Sequence, residues 1–162
     1  MTDRGHGDAA AALARLREQG WTLGVAESLT GGLLAATLIG VPGASVTVIG
    51  AIVAYATPLK HTLLGVDAQL LAEHGAVHPE VARQMAIGVR RAVAVDGRPA
   101  DVGIGTTGIA GPDSPDGQPV GTVHIGVSTA DETRVVTLHL EGDRDEIRTE
   151  SVRQSLRALM AL

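Results

Sequence analysis

The run Gly24-Val25-Ala26-Glu27-Ser28-Leu29-Thr30-Gly31-Gly32 sets a serine between an apolar stretch that reads as a strand and one that reads as a helix. A serine at such a turn sits among the unpaired N–H groups of a helix start, where the helix dipole favours negative charge. That setting suits a nucleophile whose reaction builds an oxyanion, and it suits phosphate. It equally suits a serine that only caps the helix. A nucleophilic serine needs a base, and no histidine is placed to serve. The chain has a single lysine, Lys60, shortly after the only tyrosine, Tyr55. Partial burial lowers a lysine pKa and leaves the amine neutral enough to take a proton, which arginine cannot do. Taken alone, Lys60 reads as a solvated lysine on a short helix. Tyr55 reads either as packing at a strand end or as a hydroxyl and flat ring beside a ligand.

Gly103-Ile104-Gly105-Thr106-Thr107-Gly108 spells the dinucleotide fingerprint. That fingerprint opens a helix, whereas here three prolines and further glycines follow, between Ile109 and Pro119, and forbid one. The segment is either a long turn between strands or a loop whose N–H groups and threonine hydroxyls wrap a ligand. A phosphate-binding Gly-x-x-x-x-Gly-Lys run is absent, and the histidines show no metal-ligand spacing. Arg144 and Arg148 stand four apart at the start of the last helix and project from one face. They serve surface ion pairs or a hold on phosphate.

Composition narrows the function classes. The 162 residues suit one domain, and 44% of them are hydrophobic. With no phenylalanine, one tryptophan and one tyrosine, the core must be built from Ala, Val, Leu and Ile. A chain so poor in aromatics, with net charge −5 and no long basic run, lacks the stacking surface and the electrostatic footprint of a nucleic-acid binder. The absence of cysteine excludes disulfides, thiolate catalysis and Cys-ligated zinc. No apolar stretch approaches the ~18 residues of a membrane span, and the first residues lack a signal-peptide apolar region. The expectation is a cytoplasmic protein that does not engage membranes.

The elements that must position these residues follow from periodicity and punctuation. Helices are expected over Asp8–Gln19, Thr30–Ile39, Asp67–His74, Pro79–Val95 and Arg144–Leu162, with a helical turn over Lys60–Leu64. Strands are expected over Trp21–Ala26, Val46–Ala56 and Asp101–Thr107, then a hairpin of Thr122–Ser128 and Arg134–Leu140. Thr57-Pro58 is expected to break the chain between the second strand and the helical turn. Core spacing marks Leu13 and Leu16 on the first helix, Val81, Met85 and Val89 on the helix over Pro79–Val95, and Val152, Leu156 and Leu159 on the last. Alternating strands and helices followed by a hairpin predict a single layered α/β/α domain with a mixed β-sheet. It spans residues 1–162, with 1–7 as a flexible N-terminus.

Several ordered segments together resemble the nicotinamide-nucleotide amidase family, also known as the CinA C-terminal domain. The carriers run in order from Ala26-Glu27-Ser28-Leu29-Thr30-Gly31-Gly32 through Tyr55, Lys60, Leu64-Gly65-Val66 and His74-Gly75-Ala76-Val77 to Met85-Ala86-Ile87-Gly88. They continue with Thr107-Gly108-Ile109-Ala110-Gly111-Pro112, Pro119-Val120-Gly121-Thr122-Val123, Gly142-Asp143-Arg144 and Arg148. The resemblance implies a serine amidohydrolase that converts nicotinamide mononucleotide to nicotinic acid mononucleotide and ammonia without metal or organic cofactor. It implies Ser28 as nucleophile and Lys60 as base, with Tyr55, Thr107 and Arg144 around the reacting group or ligand. Thr30, Gly31 and Gly32 would offer N–H groups to the oxyanion. Gly108, Gly111 and Arg144 would serve the phosphate end. The chain departs from the family pattern at Asp113-Ser114-Pro115, Gln118, His78 and Thr57-Pro58. Longer members carry a further N-terminal domain, and members are often dimers; the apolar surface of the last helix is a candidate interface. The competing functions are a non-catalytic nucleotide-binding or regulatory domain, and an amidase for another small amide.

Overall fold

A computed structural model describes residues 3–115 and 117–162; Met1 and Thr2, within the expected flexible terminus, and Asp116 lie outside the described residues. The order is α1 (Asp3–Glu18), β1 (Leu23–Glu27), α2 (Leu33–Ile39), a 3-10 turn (Ala44–Val46), β2 (Val48–Val53), α3 (Thr57–Leu64), α4 (Ala68–His74), α5 (Pro79–Ala92), β3 (Val102–Gly108), β4 (Thr122–Ser128), β5 (Thr133–His139) and α6 (Arg144–Met160). The five strands form one sheet in the order β2-β1-β3-β4-β5. β1 pairs in parallel with β2 and β3, while β3-β4 and β4-β5 are antiparallel, so the sheet is mixed as expected.

The two faces of the sheet are built differently. On one face Leu23, Val25, Val102, Ile104, Val123, Ile125 and Val127 pack against Leu13 and Leu16 of α1, Leu34 and Leu38 of α2 and Ile147, Leu156 and Leu159 of α6. Trp21, partly buried just before β1, packs on the same cluster. The apolar row of α6 is therefore covered within this one chain. On the other face α5 lies on a floor of glycines. Gly24 pairs with Gly50 on one side and Gly103 on the other, and Gly105 pairs with Gly126. A Cβ at Gly103 would meet the Ala86 carbonyl oxygen, and one at Gly126 the Ala82 carbonyl oxygen. Two glycines of the apparent fingerprint are thus sheet positions that let a helix backbone come close.

Boundaries moved where local chemistry competed. Thr57-Pro58 opens α3 instead of breaking before it, because proline is tolerated in a first helical turn, where its missing N–H has no helical acceptor to lose. α2 starts at Leu33, not Thr30, since Gly31 and Gly32 both take positive φ and form a left-handed turn ahead of it. α1 starts at Asp3 and not Asp8, and α5 ends at Ala92 and not Val95. Asp67 lies just outside α4 and caps it by accepting from the Gln69 and Leu70 N–H groups.

Candidate active site

The parallel strands β2, β1 and β3 all end at the same edge of the sheet. The chain leaves β1 for α2 on one face and β2 for α3 and α5 on the other. Ligands of open α/β sheets bind in the crevice such a divergence opens at the strand ends. A cleft of about 380 Å³ lies there, within the range of small-molecule sites. Ser28 and Leu29 from the end of β1, Tyr55 from the end of β2 and Lys60 from α3 line it. Ala76 and Val77 before α5, Thr107 and Gly108 at the end of β3, residues 109–111 beyond it, and Arg144 are among the other lining residues.

At its floor the Lys60 Nζ lies 3.0 Å from Ser28 Oγ. Lys60 is fully buried and Ser28 nearly so. The amine also donates to the Ala54 carbonyl at 2.8 Å and, more weakly, to the Tyr55 carbonyl at 3.3 Å. Burial without a carboxylate partner pushes its pKa down from 10.5 to about 8. A neutral amine has two hydrogens and one lone pair. With Ser28 Oγ and the two carbonyls as acceptors, the amine has a partner for each hydrogen of its charged form. The lowered pKa brings the neutral form within reach near neutral pH, and in that form the two carbonyls can accept its hydrogens and leave the lone pair for the Ser28 hydroxyl proton.

Thr107 is buried beside this pair and donates from Oγ1 to the Ala76 carbonyl at 2.7 Å, joining β3 to the segment before α5. Gln118 secures the same segment through Nε2 to the Val77 carbonyl at 2.8 Å. His78 caps α5 by accepting from the Glu80 N–H. His124, across the ladder from Thr107, is buried; burial and the neighbouring His78 and His139 push its pKa down. At the mouth Arg144, on the exposed first turn of α6, donates from Nη1 to the Gly111 carbonyl at 2.7 Å, and Nη2 lies 3.3 Å from the Tyr55 hydroxyl. The Asp143–Glu146 capping box fixes where that turn begins. Asp113 is the carboxylate among the cleft-lining residues.

Ser28, Lys60, Tyr55, Thr107, Gly108, Gly111 and Arg144 are thus brought to one cleft. Thr30, Gly31 and Gly32 are not. The Gly31 N–H bonds the Ser28 carbonyl, and the Gly32 N–H bonds Glu27. Thr30 pairs its hydroxyl with that of Thr106 at 2.9 Å beneath the sheet edge. The residue that sequence reasoning passed over is Glu27. Fully buried, it accepts from the Gly32, Leu34 and Ala35 N–H groups and caps α2 from the preceding strand. Ser28 is therefore not the cap. The one available signal was an acid directly before a serine and a glycine pair. Arg148, paired with Arg144 as a candidate phosphate hold, bonds the Leu29 and Thr30 carbonyls instead. Among the described residues no group of three or more His, Asp or Glu is placed to hold a metal, and no helix is long and apolar enough to cross a membrane.

The profile of the CinA C-terminal domain family matches residues 7–162. A CinA-like protein of Frankia casuarinae is 48% identical over 144 residues, which cover 89% of this chain and 32% of that protein. A CinA-like protein of Gloeobacter violaceus is 48% identical over 151 residues, covering 91% of this chain and 34% of its own length. The chain therefore spans about a third of these curated relatives. Among solved structures, a competence/damage inducible protein from Agrobacterium tumefaciens superposes with a TM-score of 0.91 at 30% identity, covering 99% of this chain and 96% of that one. A CinA superfamily protein from Escherichia coli superposes with a TM-score of 0.90 at 30% identity, covering 100% and 94%.

Proposed function

The chain belongs to the CinA C-terminal domain family, and from that premise and the geometry of its cleft we propose that it is a serine amidohydrolase. Its substrate in this reading is nicotinamide mononucleotide, deamidated to nicotinic acid mononucleotide and ammonia. The observation that carries the reading is the buried Lys60 amine 3.0 Å from Ser28 Oγ, its pKa lowered by burial to about 8.

Ser28 Oγ attacks the carboxamide carbon as its proton passes to Lys60 Nζ. The electron-withdrawing pyridinium makes that carbon easier to attack. The N–H of Leu29, the cleft-lining residue after the nucleophile, is the oxyanion donor we assign; the same position serves in other strand-to-helix serine hydrolases. Such a donor is worth about 3 kcal/mol in the transition state. Lys60 then returns its proton to the departing nitrogen, the C–N bond breaks, and ammonia leaves an ester on Ser28. Water gives a proton to Lys60 and attacks that ester, and Lys60 passes the proton to Ser28 Oγ as the ester C–O bond breaks, freeing the acid and restoring the serine hydroxyl. Arg144 at the mouth still has guanidinium N–H donors beyond those held by Gly111 and Tyr55, which suits the phosphate end of the ligand.

The test is ammonia release from nicotinamide mononucleotide, with Ser28→Ala alongside. Turnover is expected in the parent and a loss of about 10³-fold or more in the variant. Full rate in Ser28→Ala overturns the mechanism. A parent that binds the nucleotide without turnover is a binding domain, and turnover only of another amide moves the substrate.

A further inference from the structure

A carboxyl and a guanidinium side chain grip the turn that carries Ser28, one by its N–H groups and the other by its carbonyls, and neither lines the cleft. Glu27 holds the N–H groups that follow the turn, at 3.0 Å from Gly32, 3.1 Å from Leu34 and 2.8 Å from Ala35. Arg148 reaches in from α6 and holds its carbonyls. Its Nε donates to Leu29 O at 3.0 Å and its Nη2 to Thr30 O at 3.1 Å. Its remaining Nη1 faces Asp145 at 3.5 Å, a residue whose side chain is 89% exposed. Two parallel bonds from one planar guanidinium fix two successive peptide planes, a task a lysine cannot reproduce. The Leu29 carbonyl belongs to the peptide unit that joins Leu29 to Thr30, the next unit after the Ser28–Leu29 peptide, so holding it fixes the backbone on the far side of Leu29 from Ser28. The Ser28 carbonyl itself is tied to the Gly31 N–H at 3.0 Å.

We propose that Arg148 is a positioning residue for the nucleophile: by locking the Leu29 and Thr30 carbonyls it sets Ser28 Oγ against Lys60 Nζ without touching substrate. This rests on the reading of Ser28 as nucleophile. Arg144 and Arg148, one helical turn apart, then divide the labour. Arg144 stands at the mouth, and Arg148 stands behind the reacting atom. The geometry separates this role from phosphate binding, since two of the guanidinium nitrogens of Arg148 are committed to main-chain carbonyls and the third faces Asp145.

The experiment compares the parent, Arg148→Ala, Arg148→Lys and, as a surface control on the same helix, Arg153→Ala. Covalent labelling by a fluorophosphonate probe, mapped to Ser28 by mass spectrometry, reads the nucleophile without requiring any amide substrate. Steady-state kinetics on nicotinamide mononucleotide read kcat and KM, and circular dichroism reads the fold. Arg148→Ala is expected to lower the labelling rate and kcat together by about 10–100-fold, as a small misplacement of a reacting atom does, with KM within about twofold. Millimolar guanidinium ion should restore part of the loss in Arg148→Ala and leave the parent unchanged. Arg148→Lys should fall between the two, and Arg153→Ala should match the parent. Labelling of Arg148→Ala at the parent rate, or a raised KM at unchanged kcat, overturns the proposal. A parent that labels at Ser28 but leaves nicotinamide mononucleotide intact removes the substrate and leaves the positioning role to be judged by labelling. A parent that does not label at Ser28 removes the nucleophile and this proposal with it.

Discussion

The cleft has two walls made on opposite plans. On the Ser28 side, residues 28–32 are held by a buried carboxylate, a guanidinium from another helix and a hydroxyl pair to β3. On the opposite side, residues 109–115 lie over the strand ends. They are tied by the Ile109 N–H to the Thr122 carbonyl, by the Gly121 N–H to the Ile109 carbonyl and by Arg144 to the Gly111 carbonyl. Around these ties Pro112, Asp113 and Pro115 are exposed. The first wall fixes an atom, as bond making requires. The second offers main chain and side chains to a ligand whose shape it must accept. Substitutions on the first wall should therefore act on kcat, and those on the second on KM.

The hardest test of that division is Lys60→Ala. It should cost about 10³-fold in kcat, the middle of the range of acid–base effects, with KM little changed, by ammonia release at saturating substrate. Loss of binding instead would join the two walls into one. Arg144→Ala comes next. Losing a charged partner at the mouth should lower kcat/KM by about 10–100-fold, mostly through KM. A pure kcat effect would place Arg144 at the reacting group. The smallest effect is that of pH on the parent. With a lysine pKa of about 8, kcat should rise about tenfold from pH 7 to pH 9 as the amine loses its proton. A flat profile would mean that Lys60 does not limit the reaction. The same shift carries a stability signature. The unfolded chain, with lysine near 10.5, binds more protons than the native one between about pH 8 and 10.5, so this residue makes stability rise with pH across that window.

Much of this was open to sequence reading, and the misses have physical reasons. The α/β pattern, the hairpin and the core rows of α1, α5 and α6 follow from periodicity, which reports which face is buried. Val81, Met85 and Val89 are fully buried, as their spacing required. The pairing of Lys60 with Ser28 follows from a lone lysine in a chain with no histidine placed as base and from the family pattern. The state of residues 30–32 was not legible. Gly31 and Gly32 take left-handed backbone, the Gly31 N–H turns back to the Ser28 carbonyl and the Gly32 N–H meets a carboxylate from the strand before, an arrangement that helix propensities do not encode. Arg148 was misread for a different reason: its acceptors lie 118 and 119 residues away in the chain, and no local pattern reveals them. The Gly103-x-Gly105 spacing spells part of the dinucleotide fingerprint, which the prolines after it rule out, because a glycine that admits a helix and a glycine that admits a ligand are the same residue.

Trp21 gives the molecule a built-in optical reporter. It is the only indole in the chain, and it precedes β1 while Ser28 follows it, roughly 20 Å away along an extended strand. Its emission follows the packing of the Val, Leu and Ile cluster and stands apart from whatever occupies the cleft. An inactive variant with the parent's tryptophan spectrum has lost chemistry, whereas one with a red-shifted spectrum has lost its core. A single fluorescence trace can therefore sort the variants above before any substrate is added.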